Sequence, residues 1–137
     1  MAEQTQPTTD DVIAAAEFRS ALRQFLRRSE RIARQCGLTP QRHILLMMIK
    51  GAPDGTEQST VTELSERLQL AQSTVTELVR RAEEAGLIER EQSQQDARVA
   101  HLRLTSEGEL RLMRSFTALV TEREQLREAI AHLDGGV

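Results

Sequence analysis

The amino-acid sequence predicts a mainly α-helical fold that carries one small β-hairpin. In most of the chain, apolar residues recur at the spacing of amphipathic helices. For residues 88–92 and 99–104 the sequence instead predicts two short strands, which are joined by the polar tip SQQDAR. Gly37, Gly51 and Gly86 are glycines at positions that favour the ends of helices. These patterns together predict helices on both sides of a hairpin.

The composition is that of a single domain with no membrane span. The chain has 137 residues, and 39% of them are hydrophobic while 28% are charged. No apolar run approaches the ~20 residues that a membrane span needs. The polar start, residues 1–10, is unlike a signal peptide, and the single Cys36 fits a reducing compartment. We therefore expect a cytoplasmic protein.

The charge balance does not by itself indicate a nucleic-acid partner. The chain carries 18 Lys plus Arg against 21 Asp plus Glu, so its formal net charge is −3. Contacts to phosphate depend on where the charges lie and not only on their sum. Any binding to DNA must therefore come from a local basic patch.

The first predicted helix covers residues 11–36, and residues 1–10 are predicted to be disordered because they lack apolar periodicity. Its heptad-like stripe favours packing either within its own subunit or across a dimer. Six arginines, among them Arg19 and Arg23, indicate a solvated face, a phosphate contact or an anion site. The stripe comprises Phe18, Leu22, Phe25, Ser29, Ile32 and Cys36.

The second predicted helix begins with Thr39 as its N-cap and Pro40 at its first position, and it ends at Gly51. Residues 51–59 are rich in turn formers and are predicted to be a loop. The predicted apolar face of this helix consists of Ile44, Leu45, Met48 and Ile49.

A helix-turn-helix is predicted next. A capping box from Thr60 to Glu63 opens a short helix over 61–68, and a second helix runs to about Ala85. The exposed side of the second helix is polar and mostly short-chained towards its N-terminus, as the major groove of DNA requires. The predicted core of this motif consists of Leu64, Leu68, Leu70, Val75 and Leu78.

Two further helices are predicted after the hairpin. Thr105 to Gly108 opens the first, and a second capping box from Thr121 to Glu124 predicts a break before the last. Gly135-Gly136 is predicted to end the ordered chain. We expect Leu110, Met113, Phe116, Thr117 and Val120 on the buried side of the first, and Leu126, Ile130 and Leu133 on one face of the second.

A helix-turn-helix followed directly by a hairpin with a polar tip is a winged helix-turn-helix. In this region the chain resembles the MarR family of transcriptional regulators, and the resemblance extends over residues 12–133. The matching elements are Glu63-Leu64, Leu68, Leu70, Ser73-Thr74-Val75-Thr76, Leu78-Val79, Arg81, Gly86-Leu87-Ile88-x-Arg90, Asp96-x-Arg98 and Leu104-Thr105-x-x-Gly108, with Gly37-Leu38-Thr39-Pro40-Gln41 upstream.

The resemblance implies a homodimer that binds a pseudo-palindromic site on double-stranded DNA. Residues 11–36 and 109–134 would then be dimerisation helices, and 37–108 would be the DNA-binding lobe of one continuous domain. Repression by occluding a promoter is the default expectation, with release of the DNA by a small-molecule effector as a further expectation.

The resemblance also implies site residues. Arg98 is the expected minor-groove contact, Asp96 is expected to orient Arg98 or Arg90, and Arg90 suits an ion pair as well as a phosphate contact. An effector site is expected between the first two helices and the lobe, with Arg27, Arg31, His43 and Met47 as candidates. The candidate DNA-binding residues are Gln72, Ser73, Thr74, Thr76, Glu77, Arg80, Arg81 and Arg98.

Some features favour other functions. Relatives commonly carry a basic or polar residue at the position of Glu77, and Gly and Ser at those of Gln69 and Ala71. Residues 71–104 contain five Arg against six Asp plus Glu. The alternatives are a winged-helix protein-interaction module without DNA binding, or a thiol-based redox-sensing regulator that acts through Cys36.

The residue inventory does not favour an enzyme. His43, His101 and His132 have no metal-ligand spacing with one another or with Cys36. No phosphate-cradling glycine loop and no nucleophile motif is recognisable. We therefore expect no catalytic residue, no metal and no cofactor.

Overall fold

The computed structural model describes residues 6–133, and within that range it confirms a mainly helical fold with a small β-hairpin. No helix in this range is long and apolar enough to cross a membrane. The elements in chain order are α1 (Thr9–Gln35), α2 (Pro40–Lys50), β1 (Gln58–Ser59), α3 (Val61–Leu68), α4 (Gln72–Glu84), β2 (Ile88–Gln92), β3 (Ala100–Leu104), α5 (Ser106–Ala118) and α6 (Val120–Leu133).

Helix α1 begins two residues earlier than predicted, because a capping box fixes its start. Oγ1 of Thr8 accepts the backbone N–H of Asp11 at 3.2 Å, and Oδ2 of Asp11 accepts that of Thr8 at 2.8 Å. Thr9 and Asp10 are therefore helical, and the prediction of disorder was wrong for them. Residues 1–5 and the predicted chain end at Gly135-Gly136 lie outside the described residues.

Helix α2 starts as predicted, with Oγ1 of Thr39 accepting the N–H of Arg42 at 3.2 Å. Its buried face includes Leu45 and Ile49, as predicted, but differs from the prediction at other positions. His43 and Leu46 are buried, whereas Ile44 is exposed. The neighbouring elements cover α2 on the side of His43 and Leu46, and periodicity alone did not identify that side.

The helix-turn-helix packs around a closed apolar core. The capping box of Thr60 and Glu63 starts α3 as predicted, and Gln69 ends it in the left-handed region at φ 57°. Leu70 was expected in the core but is 41% exposed, since hydrogen bonds between Ser65 and Leu70 close the turn instead. The fully buried large apolar side chains of this core are Leu45, Leu46, Ile49, Leu64, Val75, Val79, Leu87 and Leu102.

The hairpin belongs to a three-stranded antiparallel sheet with the strand order β1-β3-β2. Ile88 pairs with Leu104 and Gln92 with Ala100, so β2 and β3 agree closely with the predicted strands. Strand β1 pairs Ser59 with Leu102 and was predicted to be loop. Its two residues are too few to show the alternation that identifies a strand.

Helix α5 buries a different side from the predicted one. Its buried residues are Gly108, Leu112 and Ser115. The break before α6 falls at Leu119, so the predicted capping box at Thr121 lies inside α6. Apart from Thr117, which is also exposed, the residues expected to be buried form an exposed apolar stripe on α5 and the first residue of α6. It is called here the α5 stripe and consists of Leu110, Met113, Phe116 and Val120.

The start of α5 is fastened to the end of α4. Oγ1 of Thr105 donates to the carbonyl of Gly86 at 2.6 Å and accepts the N–H of Gly108 at 3.1 Å. The N–H of Thr105 donates to the carbonyl of Leu87 at 3.0 Å. A Cβ on Gly108 would lie 2.2 Å from that same carbonyl oxygen, so only glycine fits. This joint explains the residues of the Leu104-Thr105-x-x-Gly108 motif.

Candidate nucleic-acid interface

The N-terminal half of α4 presents an uncharged polar surface. Ala71 stands at the N-cap and provides no side-chain hydrogen bond to the first turn. The backbone N–H groups at this end are therefore available to an anion such as a DNA phosphate. The exposed side chains around them are Gln72, Ser73, Thr74 and Thr76, all of which were predicted as site residues.

The C-terminal half of α4 carries an ion cluster. The carboxylate of Glu77 accepts Nε and Nη2 of Arg80 at 2.9 and 2.6 Å, and Nε of Arg81 at 3.0 Å. Glu84 accepts Nη1 of Arg80. The hydrogen bonds from Arg80 and then Arg81 lower the pKa of Glu77 to about 2, so this carboxylate is charged at neutral pH. Both predicted DNA-binding arginines of α4 thus contact Glu77.

The wing tip carries an exposed cation. Arg98 lies between β2 and β3, and its side chain is 92% exposed. Oδ1 of Asp96 accepts the backbone N–H of Arg98 at 3.0 Å and its Nε at 3.4 Å. Asp96 therefore contacts Arg98, one of its two expected partners, and the guanidinium still points into solvent-accessible space.

The wing is attached to α4 by an ion pair. Nε of Arg90 in β2 lies 2.8 Å from Oε1 of Glu83 in α4. Of its two expected roles, Arg90 thus shows the structural ion pair. This contact fixes the base of the wing against the helix whose polar face is the candidate site.

A cavity of about 330 Å³ lies between α1, α2 and α5. Of the candidate effector residues, His43 and Met47 line this cavity, whereas Arg27 and Arg31 line a separate open groove on α1 with Glu30. The predicted effector set is therefore not one site, because the arginines lie on the outer side of α1. The other lining residues are Phe25, Leu26, Ser29, Glu30, Pro40, Ile44, Met48, Phe116, Leu119 and Arg123.

The polar groups of this cavity are few. His43 is 1% exposed, its Nε2 has no hydrogen-bond partner among the described residues, and burial lowers its pKa. The guanidinium of Arg123 lies 3.6 Å above the Phe116 ring and donates to the Phe116 carbonyl at 2.6 Å. The sequence did not identify Phe116 and Arg123 as lining residues, because only the fold brings α5 and α6 next to α1 and α2.

Cys36 lies at the C-terminal end of α1 and is half-buried. Its backbone N–H donates to the carbonyls of Ile32 and Ala33. The redox-sensor alternative rests on this one residue.

Comparison with known proteins identifies relatives for this arrangement. A sequence model described as the MarR family matches residues 37–99. The HTH-type transcriptional repressor MdtR of Bacillus subtilis (strain 168) is 31% identical over 103 residues, which cover 68% of this chain. The match spans 64% of that relative's length, which is just under two thirds.

Solved structures share the fold. A MarR-family transcription regulator superimposes with a TM-score of 0.71 at 24% identity, over 85% of this chain and 75% of its own. FabT of Streptococcus pneumoniae, solved in complex with DNA, has a TM-score of 0.54 at 32% identity. That likeness covers 64% of this chain and 59% of FabT.

Proposed function

The chain belongs to the MarR family, and we propose that it is a homodimeric transcriptional regulator that binds a specific DNA sequence. The observation that carries this proposal is the exposed Arg98 at the tip of a wing that is fixed to α4. The repressor name of MdtR and the DNA in the FabT structure support it. Repression by promoter occlusion is the proposed action, in the cytoplasm and without catalysis.

The two parts of the site suit the two grooves of DNA. Short polar side chains such as Ser73 and Thr74 allow the start of α4 to approach base edges in the major groove. A long, permanently charged side chain such as Arg98 suits the strongly negative minor groove beside it. Because the chain is net acidic, a small number of such contacts must supply the phosphate and groove attraction.

The proposed homodimer rests on the α5 stripe. Met113 and Val120 are 46% and 55% exposed in the single chain, and Leu110 and Phe116 continue the same surface. A contiguous apolar surface of this kind is typical of an interface. A two-fold dimer would present two α4 helices to the two halves of a pseudo-palindromic site.

We also propose that the cavity between α1, α2 and α5 is the effector site. Its apolar walls and its volume of about 330 Å³ suit a small, mostly apolar molecule. His43 lines the cavity, and its buried Nε2 has no hydrogen-bond partner among the described residues. A crystal structure with bound effector should place the compound here, and a compound found only on the outer face of the wing would contradict this site.

The test of DNA binding is Arg98→Ala. Selection from a random duplex pool first identifies the operator. We expect the variant to bind operator and scrambled duplex more weakly, and its salt slope to fall by about 1, since an arginine in the minor groove acts mainly through charge and shape. The measurement is a salt titration of binding to both duplexes.

The matched control is Arg103→Ala, which removes the same charge from the same hairpin. Arg103 is already paired with Glu89 at 2.9 Å and Glu91 at 3.4 Å, so its loss should change the salt slope much less. Unchanged affinity and slope in Arg98→Ala would refute the wing contact. A parent protein without salt-sensitive DNA binding would favour the interaction-module alternative instead.

A further inference from the structure

Glu77 occupies the centre of the charged half of α4. Three N–H groups from two arginines converge on its two carboxylate oxygens, at distances between 2.6 and 3.0 Å. Arg80 uses Nε and Nη2 together, so one edge of its planar guanidinium is fully engaged with the carboxylate. Arg81 lies four residues after Glu77 on the same helix, and its Nε shares the Oε1 atom of Glu77 with Arg80.

The neighbouring carboxylate does not have this arrangement. Glu84 contacts Nη1 of Arg80 and has no contact with Arg81 in the described part of the chain. Glu77 therefore links both arginines, whereas Glu84 supports one of them from the far side. Glu77 and Glu84 thus lie on the same exposed face of α4, but Glu77 contacts two arginines and Glu84 contacts one.

The wing shows the opposite situation. Arg98 has one long side-chain contact, 3.4 Å to Asp96, and its side chain is 92% exposed, whereas that of Arg80 is 53% exposed. Residues 72–84 contain three acidic residues, Glu77, Glu83 and Glu84, against two arginines, so α4 has no excess positive charge. The electrostatic attraction of α4 to DNA phosphates is therefore weak. The attraction of the wing is not, because Arg98 is largely exposed.

We propose that Glu77 is a positioning residue that withholds Arg80 and Arg81 from DNA phosphates, so that α4 discriminates by base sequence rather than by charge. This inference rests on the proposed DNA-binding function. An arginine held by a carboxylate gains little by moving to a phosphate, because it only exchanges one anionic partner for another. A guanine edge offers two acceptors, O6 and N7, in a geometry that matches the guanidinium, so the two hydrogen bonds to it are specific for that base.

The inference assigns a preference to the operator. A G·C base pair lies where Arg80 reaches the major groove, and its guanine accepts the Arg80 side chain. Duplexes without this base pair leave the arginines on Glu77 and are bound through the wing and the N-terminal backbone of α4. Non-specific binding is thereby reduced without loss of the arginines.

The experiment compares the parent protein with Glu77→Gln and Glu84→Gln. Both variants lose one negative charge from the same face of α4, and only the first releases Arg81. Binding to the selected operator and to a scrambled duplex is measured over a salt series from about 50 to 200 mM. Circular dichroism and sedimentation establish that the fold and the oligomeric state are unchanged.

For Glu77→Gln we expect binding to scrambled duplex about tenfold tighter at low salt, with a salt slope steeper by 1 to 2, since each new phosphate contact contributes about 0.9. Its operator-to-scrambled affinity ratio should fall about tenfold. For Glu84→Gln the ratio should stay within about twofold of the parent, because Glu77 still holds both arginines.

Three results would overturn the inference while leaving the proposed function intact. Equal effects of the two variants would mean that only net charge matters. A loss of operator binding alone in Glu77→Gln would mean that Glu77 itself contacts a base. Unchanged scrambled-duplex binding would mean that the arginines were never withheld. A parent protein that binds neither duplex would refute the proposed function itself.

Discussion

The winged lobe from α2 to β3 and the terminal helices α1, α5 and α6 differ in how far each completes its own packing. In the lobe, Leu64, Val75 and Leu102 and their neighbours are fully buried by residues of the same chain. Helix α6 has no buried residue, and α1 has one, Ala33. The terminal helices instead expose large apolar side chains, including the α5 stripe.

This contrast indicates two separate sources of stability. The lobe has a closed core, so its folding depends on internal contacts and on the joint with α5. The terminal helices bury too little apolar surface in one chain, and a second copy is the partner we propose for them. Substitutions in the two regions should therefore alter different measured quantities.

The largest expected effect is on assembly. Met113→Glu places a charge in the α5 stripe, and burying it against a partner should raise the dimer dissociation constant by at least about 100-fold. The matched control is Leu70→Glu, because Leu70 is 41% exposed and Met113 is 46% exposed, but Leu70 lies in the lobe. Sedimentation velocity at low micromolar concentration measures both. A dimeric Met113→Glu protein would disprove the assignment of the interface.

The next effect is on the stability of the lobe. Gly108→Ala places a methyl group 2.2 Å from the carbonyl oxygen of Leu87, so the joint between α4 and α5 must shift. We expect the free energy of unfolding to fall by about 1–3 kcal/mol, as is typical of overpacking. Urea denaturation measures this loss. Ser106→Ala, an exposed change in the same turn, is the control and should alter the stability by less than about 0.5 kcal/mol.

The smallest effect concerns His43, at the boundary between the two regions. Burial lowers its folded pKa below the ordinary 6.5, so the unfolded chain binds a proton more readily. Its neutral form is favourable above pH 6.5, and stability is lost as the pH falls below that value. His43→Leu should reduce the drop in Tm between pH 7.5 and 5.5, with His101 and His132 still present in both proteins. An identical drop in parent and variant would contradict this assignment.

Local signals in the sequence were sufficient to predict the helix starts and the hairpin strands of the lobe. The N-caps at Thr39, Thr60 and Thr105 act within three residues, so each one identifies a helix start from sequence alone. The hairpin strands were also predicted closely, because apolar and polar residues alternate in β3 and the polar tip SQQDAR separates the two strands. Contacts between residues far apart in the sequence, such as the pairing of β1 with β3, were not predictable from these local signals.

The candidate site was predictable in its residue types but not in its connections. Periodicity placed Glu77 and Arg80 on the exposed face of α4, but it did not show that Glu77 binds both arginines. The α5 stripe was expected to be buried because apolar residues usually face the core of their own chain. In this chain that rule was wrong for α5, since Leu112 and Ser115 fill the internal side.

The joint at Thr105 and Gly108 couples the orientation of α5 to that of α4. Its N-terminal end is hydrogen-bonded to the carbonyls that follow α4, at Gly86 and Leu87, and no flexible linker intervenes. In a dimer held through the α5 stripe, a rotation of α5 turns α4 of each subunit with it. For the proposed binding to a pseudo-palindromic DNA site, the separation of the two α4 helices must match the ~34 Å repeat of the double helix. A tilt of a few degrees at the interface therefore displaces both helices from their grooves at once.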